Sequence, residues 1–195
     1  DFKYLALIES GLENVTSPSG AKGFWQIMKT TGKEYGLEIN SNVDERYNLH
    51  LSTRLACKYL KKARDKFGSW TLAAAAYNRG MSGVQNKIAN QNQTAYENIL
   101  FGDETKRYVF RIIALKNIVE SPESFGFYVD EGQMYKPIEY EEIKIDKPIN
   151  NISDFSKDFG LNYKNFKIHN PWLLENHLNN KSRKVYTISI PSDKT

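Results

Sequence analysis

Leu51, Leu55, Tyr59, Ala63 and Phe67 recur at every fourth position and stop at Gly68. This spacing lines apolar groups along one face of a helix, and the glycine after it takes the left-handed turn that closes a helix. Ser69 is then placed to cap a second helix, Trp70 through Tyr77, in which Ala73–Ala76 predict close packing on all sides. An earlier stripe, Leu5, Ile8 and Leu12, has Gly11 as its stop. A last long helix is expected from about Glu104 to Val119, with Tyr108, Val109, Ile112 and Leu115 inward and Ser121-Pro122 ending it.

Beyond Phe127 the texture changes. Ile138 and Tyr140 alternate with acidic residues, and Ile143 and Ile145 resume after one extra residue, which predicts a bulged strand closed by Pro148. Ser153 and Asn162 are candidate caps for two short helices, the first ended by Gly160 and the second stopping before Pro171. Tyr186, Ile188 and Ile190 alternate as a final strand. The fold expected is therefore mainly α: a helical domain over residues 1–127, then a small α+β unit of βααβ order over 128–195. Charge follows the same division. Residues 1–127 carry 17 basic and 13 acidic groups, so the whole net charge of +4 falls there.

An excess of +4 suits an anionic wall polymer or a membrane surface and is too weak to argue for nucleic acid. No apolar run in the sequence is long enough to span a membrane. Asp1-Phe2-Lys3-Tyr4 already reads as helix, so an export signal or membrane anchor is expected to lie in a segment outside this chain. Cys57, the single cysteine, stands between Ala56 and Tyr59-Leu60 and reads as a buried small apolar residue. No cofactor and no metal are expected. His50, His169 and His177 are far apart without paired ligand spacing, and neither a phosphate-binding loop nor a nucleophile elbow is present.

The residues with chemistry form four blocks. Glu9-Ser10 stands where the first helix opens into a loop. Gly20-Ala21-Lys22-Gly23-Phe24-Trp25-Gln26-Ile27-Met28 joins two glycines to aromatic and amide groups. Ala76-Tyr77-Asn78-Arg79-Gly80 ends a helix, and Glu104-Thr105-Lys106-Arg107-Tyr108-Val109 opens the last one. In this order they resemble the active site of the family 1 lytic transglycosylases, whose catalytic domain is lysozyme-like. The Asp44-Glu45-Arg46 junction is similar to that of the family's membrane-bound D branch. The βααβ order and Ile168-His169-Asn170-Pro171-Trp172 resemble a LysM module, which follows the catalytic domain there.

The resemblance implies a peptidoglycan lytic transglycosylase that cleaves the MurNAc-β-1,4-GlcNAc bond without water and leaves 1,6-anhydro-MurNAc ends. Glu9 would be the acid and then the base, kept protonated at rest by partial burial. Glu13 and the Asp44-Glu45-Arg46 stretch are read as surface charge and structural junction. Ser17 would steady the N-acetyl group. One residue fewer than in the family separates it from Glu9, so Ser19 stands in reserve. Gln26 would bond sugar hydroxyls, Met28 would line the cleft floor, and Phe24 and Trp25 read as packing. Tyr77 would reach the acid or the substrate, Asn78 would fix the turn after its helix, and Glu104 and Tyr108 would line the side that meets the peptide stem. The partner implied is the peptidoglycan strand, met by a monomer in the bacterial envelope, periplasmic or at the outer membrane. A hydrolytic goose-type lysozyme and an inactive glycan-binding module remain as alternatives.

Overall fold

The computed structural model describes residues 1–193. Helix α1 (Lys3–Ser10) stops at Gly11, whose φ of 64° is the left-handed conformation expected of it. A loop leads to α2 (Lys29–Glu34), a short helix that the apolar pattern does not predict. Helix α3 (Leu49–Phe67) is capped by the Asn48 side chain, which accepts from the Leu51 amide, and it buries Leu55, Ala56, Leu60 and Ala63. Helix α4 (Trp70–Arg79) begins where expected, with the Ser69 hydroxyl accepting from the Leu72 amide. Leu72 and Ala73–Ala76 are all buried. Their small side chains let α4 pack against α3, α5 (Met81–Gln91) and α6 (Asp103–Glu120) at once. α6 also crosses α1. Each fully buried leucine here, such as Leu5 or Leu72, stabilises the body by roughly 1.5–3 kcal/mol.

Cys57 is exposed, contrary to expectation. The buried stripe of α3 runs through Ser52, Leu55, Ala56, Leu60 and Ala63, and position 57 lies a third of a turn off it.

The C-terminal elements follow the expected order: β1 (Tyr140–Ile145), α7 (Ile152–Lys157), α8 (Tyr163–His169) and β2 (Tyr186–Pro191). Two expectations are corrected. The strands pair antiparallel residue for residue, from Tyr140 opposite Pro191 to Ile145 opposite Tyr186, so the ladder holds no bulge. The apparent phase change arises because Ile138 lies outside the strand, exposed, while Ile143 and Ile145 face the core. The cap of α7 is Asn151, whose side chain accepts from the amides of Ser153 and Asp154, so Ser153 is inside the helix. Asn162 caps α8 as expected. Asn170 is fully buried and bonds Ser189 in both directions, tying the end of α8 to β2. Residues 194 and 195, which complete the expected second unit, lie outside the described residues. No helix among the described residues is long and apolar enough to cross a membrane.

Two apolar cores result, one inside α1–α6 and one among Ile149, Ile152, Phe166, Trp172, Leu173, Leu178 and the strands. The second core also contains Val43, 1% exposed, from far earlier in the chain. Residues 38–47 cross over to deliver it. The Asp44 amide donates to the Trp172 carbonyl and the Leu174 amide to the Asn42 carbonyl. The Asn42 side chain bonds the backbone of His177 and Asn179. Lys184 donates to both Glu38 and Glu45, at 2.8 and 2.7 Å, and the Tyr186 hydroxyl donates to Glu38.

Candidate active site

α1 presents Glu9 in its last turn, partly buried, where α1, α4 and α6 meet. The next residue, Ser10, anchors the turn by donating its hydroxyl to the Phe24 carbonyl at 2.8 Å. From α6, the buried Tyr108 donates its hydroxyl to Oε1 of Glu9. Burial raises the Glu9 carboxyl above its ordinary value of 4.5, the Tyr108 bond opposes this, the nearby Glu104 charge adds to it, and Arg111 pulls it back. Desolvation prevails, so the carboxyl holds its proton to higher pH than a solvated glutamate. The Tyr108 and Tyr77 hydroxyls are pushed well above 10, by burial first and by the Glu9 charge next, so both remain donors.

Tyr77 stands on α4 with its ring edge-on to Trp25 and Tyr59. Its hydroxyl donates to the Trp25 carbonyl at 2.7 Å and so fixes the loop that follows Glu9. Asn78 reaches α6 instead of its own turn: its amide donates to Glu104 at 3.3 Å and its carbonyl accepts from Thr105 at 2.8 Å. The structure thus gathers Glu9, Tyr77, Asn78, Glu104 and Tyr108 into one cluster.

The loop residues stand differently. The Ser17 hydroxyl accepts from the Ala21 amide and bonds Ser19, so it closes a turn. The Gln26 amide nitrogen donates to the carbonyls of Val15 and Gly23, so its donors hold the loop, and Gln26 itself sits at a positive φ of 44°. Met28 is exposed at the start of α2. Among the described residues none of the three hydrogen-bonds Glu9. Trp25 is buried, in keeping with a packing role, and its indole donates to Thr53.

Under the loop lies Arg46, which pattern reading gave only a junction role. Its guanidinium grips Asp44 with two bonds and donates to the carbonyls of Gly20 and Ile27 at 3.0 and 3.1 Å. The Asp44 carboxyl meets burial, which pushes it up, but the Arg46 bonds outweigh that and hold it below its ordinary value. Gly23 rests directly on this residue, and a Cβ there would fall 2.2 Å from the Arg46 carbonyl oxygen. Arg111 and Thr105 were also missed as functional neighbours. Arg111 is one turn past Tyr108 on the same face, the only sign the sequence offers of its nearness to Glu9.

Residues 2–100 match the transglycosylase SLT domain, and residues 141–194 match the soluble lytic transglycosylase C-terminal LysM-like domain. The chain belongs to the transglycosylase SLT domain family, with a LysM-like unit behind it. Over 128 residues it is 33% identical to membrane-bound lytic murein transglycosylase D of Escherichia coli K12, and equally to that of Escherichia coli O6:H1. Those alignments cover 63% of this chain and 28% of each relative. The SLT match ends at residue 100, before Glu104 and Tyr108 complete the cluster from α6.

Proposed function

We propose that this chain is a peptidoglycan lytic transglycosylase with Glu9 as its single acid and base. The observation that carries the reading is the partly buried Glu9 carboxyl, raised above its ordinary value and held from one side by Tyr108. Protonated Glu9 gives its proton to the glycosidic oxygen as the C1–O bond breaks. The resulting carboxylate takes the proton of the 6-hydroxyl on the same MurNAc, and O6 closes on C1. The products are a 1,6-anhydro-MurNAc end and a free GlcNAc 4-hydroxyl, with the acid regenerated and no water consumed. Tyr108 occupies Oε1 and leaves the other oxygen for the sugar. Tyr77 and Ser10 hold the loop carrying Phe24 and Trp25 against the acid. Ser17, Gln26 and Met28 serve chiefly by shaping that loop as a sugar floor.

The LysM-like relationship and the murein named for the relatives support peptidoglycan as the partner and the cell envelope as the place of action. Within this reading the chain works as a monomer, and any membrane attachment comes from a segment outside it. One observation favours a hydrolytic alternative: Glu104 is a second carboxylate whose charge reaches Glu9, as in two-carboxylate hydrolases. Mass spectrometry of digested sacculi separates them. Anhydro-MurNAc ends from wild type and none from Glu9→Gln are expected. Reducing MurNAc ends would overturn the lytic reading, and sacculus binding without release of muropeptides would leave a binding module.

A further inference from the structure

A cavity of about 520 Å³ opens between α3 and the strand β2, away from the Glu9 cluster. Its wall on α3 carries Arg54 and Lys58, one turn apart, both exposed and neither with an anionic partner among the described residues. The one cation on its floor, Lys184, is already bonded to two carboxylates, Glu45 and Glu38, and is not free for a ligand. Glu142 stands on the wall contributed by β1. Tyr35 also lines the cavity. Two unspent cations facing one carboxylate suit a ligand with several carboxylates and one amine. The volume is that of a small-ligand site, in the range of about 300–1,000 Å³.

The cavity shares Asn48, His50 and Trp172 with a smaller one of about 160 Å³ that reaches Phe24. The Phe24 carbonyl is the group that holds Ser10, next to Glu9. The two cavities are therefore neighbours, and the smaller one borders the loop that holds Ser10.

We propose that this larger cavity binds a peptide stem of peptidoglycan, its carboxylates at Arg54 and Lys58 and its free amine at Glu142. The proposal rests on the peptidoglycan reading for the ligand's identity. It gives the chain a second hold on its polymer, separate from the Glu104 side of the acid.

The test uses the whole chain and N-acetyl-L-alanyl-γ-D-glutamyl-meso-diaminopimelate, whose single free amine is on the diaminopimelate, followed by calorimetry or by amide shifts in NMR. Wild type is expected to bind, and Arg54→Ala/Lys58→Ala to bind about tenfold or more weakly, the scale of one charge-assisted contact. Amidating the peptide carboxylates should weaken wild-type binding equally. Glu142→Gln should weaken binding of this peptide and not of the form also acetylated at the diaminopimelate amine. The conservative pair Arg54→Lys/Lys58→Arg should retain binding, which excludes misfolding as the cause. Equal binding by the alanine pair, or none by wild type at millimolar peptide, overturns the proposal. The two readings fail separately. Binding through Arg54 and Lys58 without anhydro products from sacculi supports the site and overturns the activity, and normal cleavage by a protein blind to the peptide does the reverse.

Discussion

The Tyr108 hydroxyl donates to Oε1 of Glu9 across a separation of 99 residues, joining the second turn of α6 to the last turn of α1. The bond works against burial, since it favours the charged carboxylate while desolvation favours the neutral acid. Tyr108→Phe should therefore raise the Glu9 carboxyl further. The alkaline limb of the pH profile of kcat/KM is expected to move up, while kcat falls about tenfold as the acid loses its orientation. An unchanged limb would show that the bond does not tune the acid.

Glu9→Gln should abolish cleavage and stabilise the fold at neutral pH. The sign follows from a folded value above the ordinary 4.5. Below 4.5 the acid is neutral in both states and its contribution is fully present; that contribution is lost as pH rises through the raised folded value. The amide cannot ionise. The variant's Tm should match wild type near pH 4 and exceed it at pH 7, by about 1 kcal/mol of stability. Thermal melts at the two pH values check it.

Gly23→Ala should destabilise by about 2–4 kcal/mol. Its φ is 79°, and the added Cβ would meet backbone, the Arg46 carbonyl, which cannot swing aside. Gly20→Ala is the control, since a Cβ there meets nothing within 4 Å. It keeps the backbone strain, at φ 83°, and lacks the clash. Urea denaturation of the pair isolates the contact with Arg46.

Lys184→Met should cost about 2 kcal/mol, less than a wholly buried pair because Lys184 is 40% exposed. Burial pushes Glu38 up, but the bonds from Lys184 and Tyr186 outweigh it and hold the carboxyl below 4.5. That stability is present above 4.5 and lost as pH falls through the lowered value. Burial likewise opposes the Lys184 ammonium, yet its bonds to Glu38 and Glu45 hold it above 10.5. Its share is present below 10.5 and lost as pH rises through the raised value. The gap in Tm between wild type and variant should thus be widest near neutral pH and shrink in acid.

The long helices were legible because α3, α4 and α6 repeat apolar groups at helical spacing and begin or end at Gly68, Ser69 and Ser121. α5 was not, since it buries fully only Val84 amid glycine and amide residues and offers little stripe to read. In the candidate site, Glu9, Tyr77, Asn78, Glu104 and Tyr108 converge because helices fix their directions. The loop residues Ser17 and Gln26 are different. An amide or hydroxyl in a tight loop has backbone groups within reach, and theirs are taken by Ala21, Val15 and Gly23. Spacing says nothing about which partner such a group selects. Nor does it show that Arg46 supports two carbonyls about twenty positions earlier.

Val43 completes a core built almost wholly from residues beyond 140, and its neighbour Arg46 carries the loop beside Glu9. The rear unit is therefore no detachable cassette. Grafting a foreign wall-binding module in its place would leave a valine and the amides around it facing water. A chimera would have to carry residues 38–47 and 170–186 together, as one inherited joint.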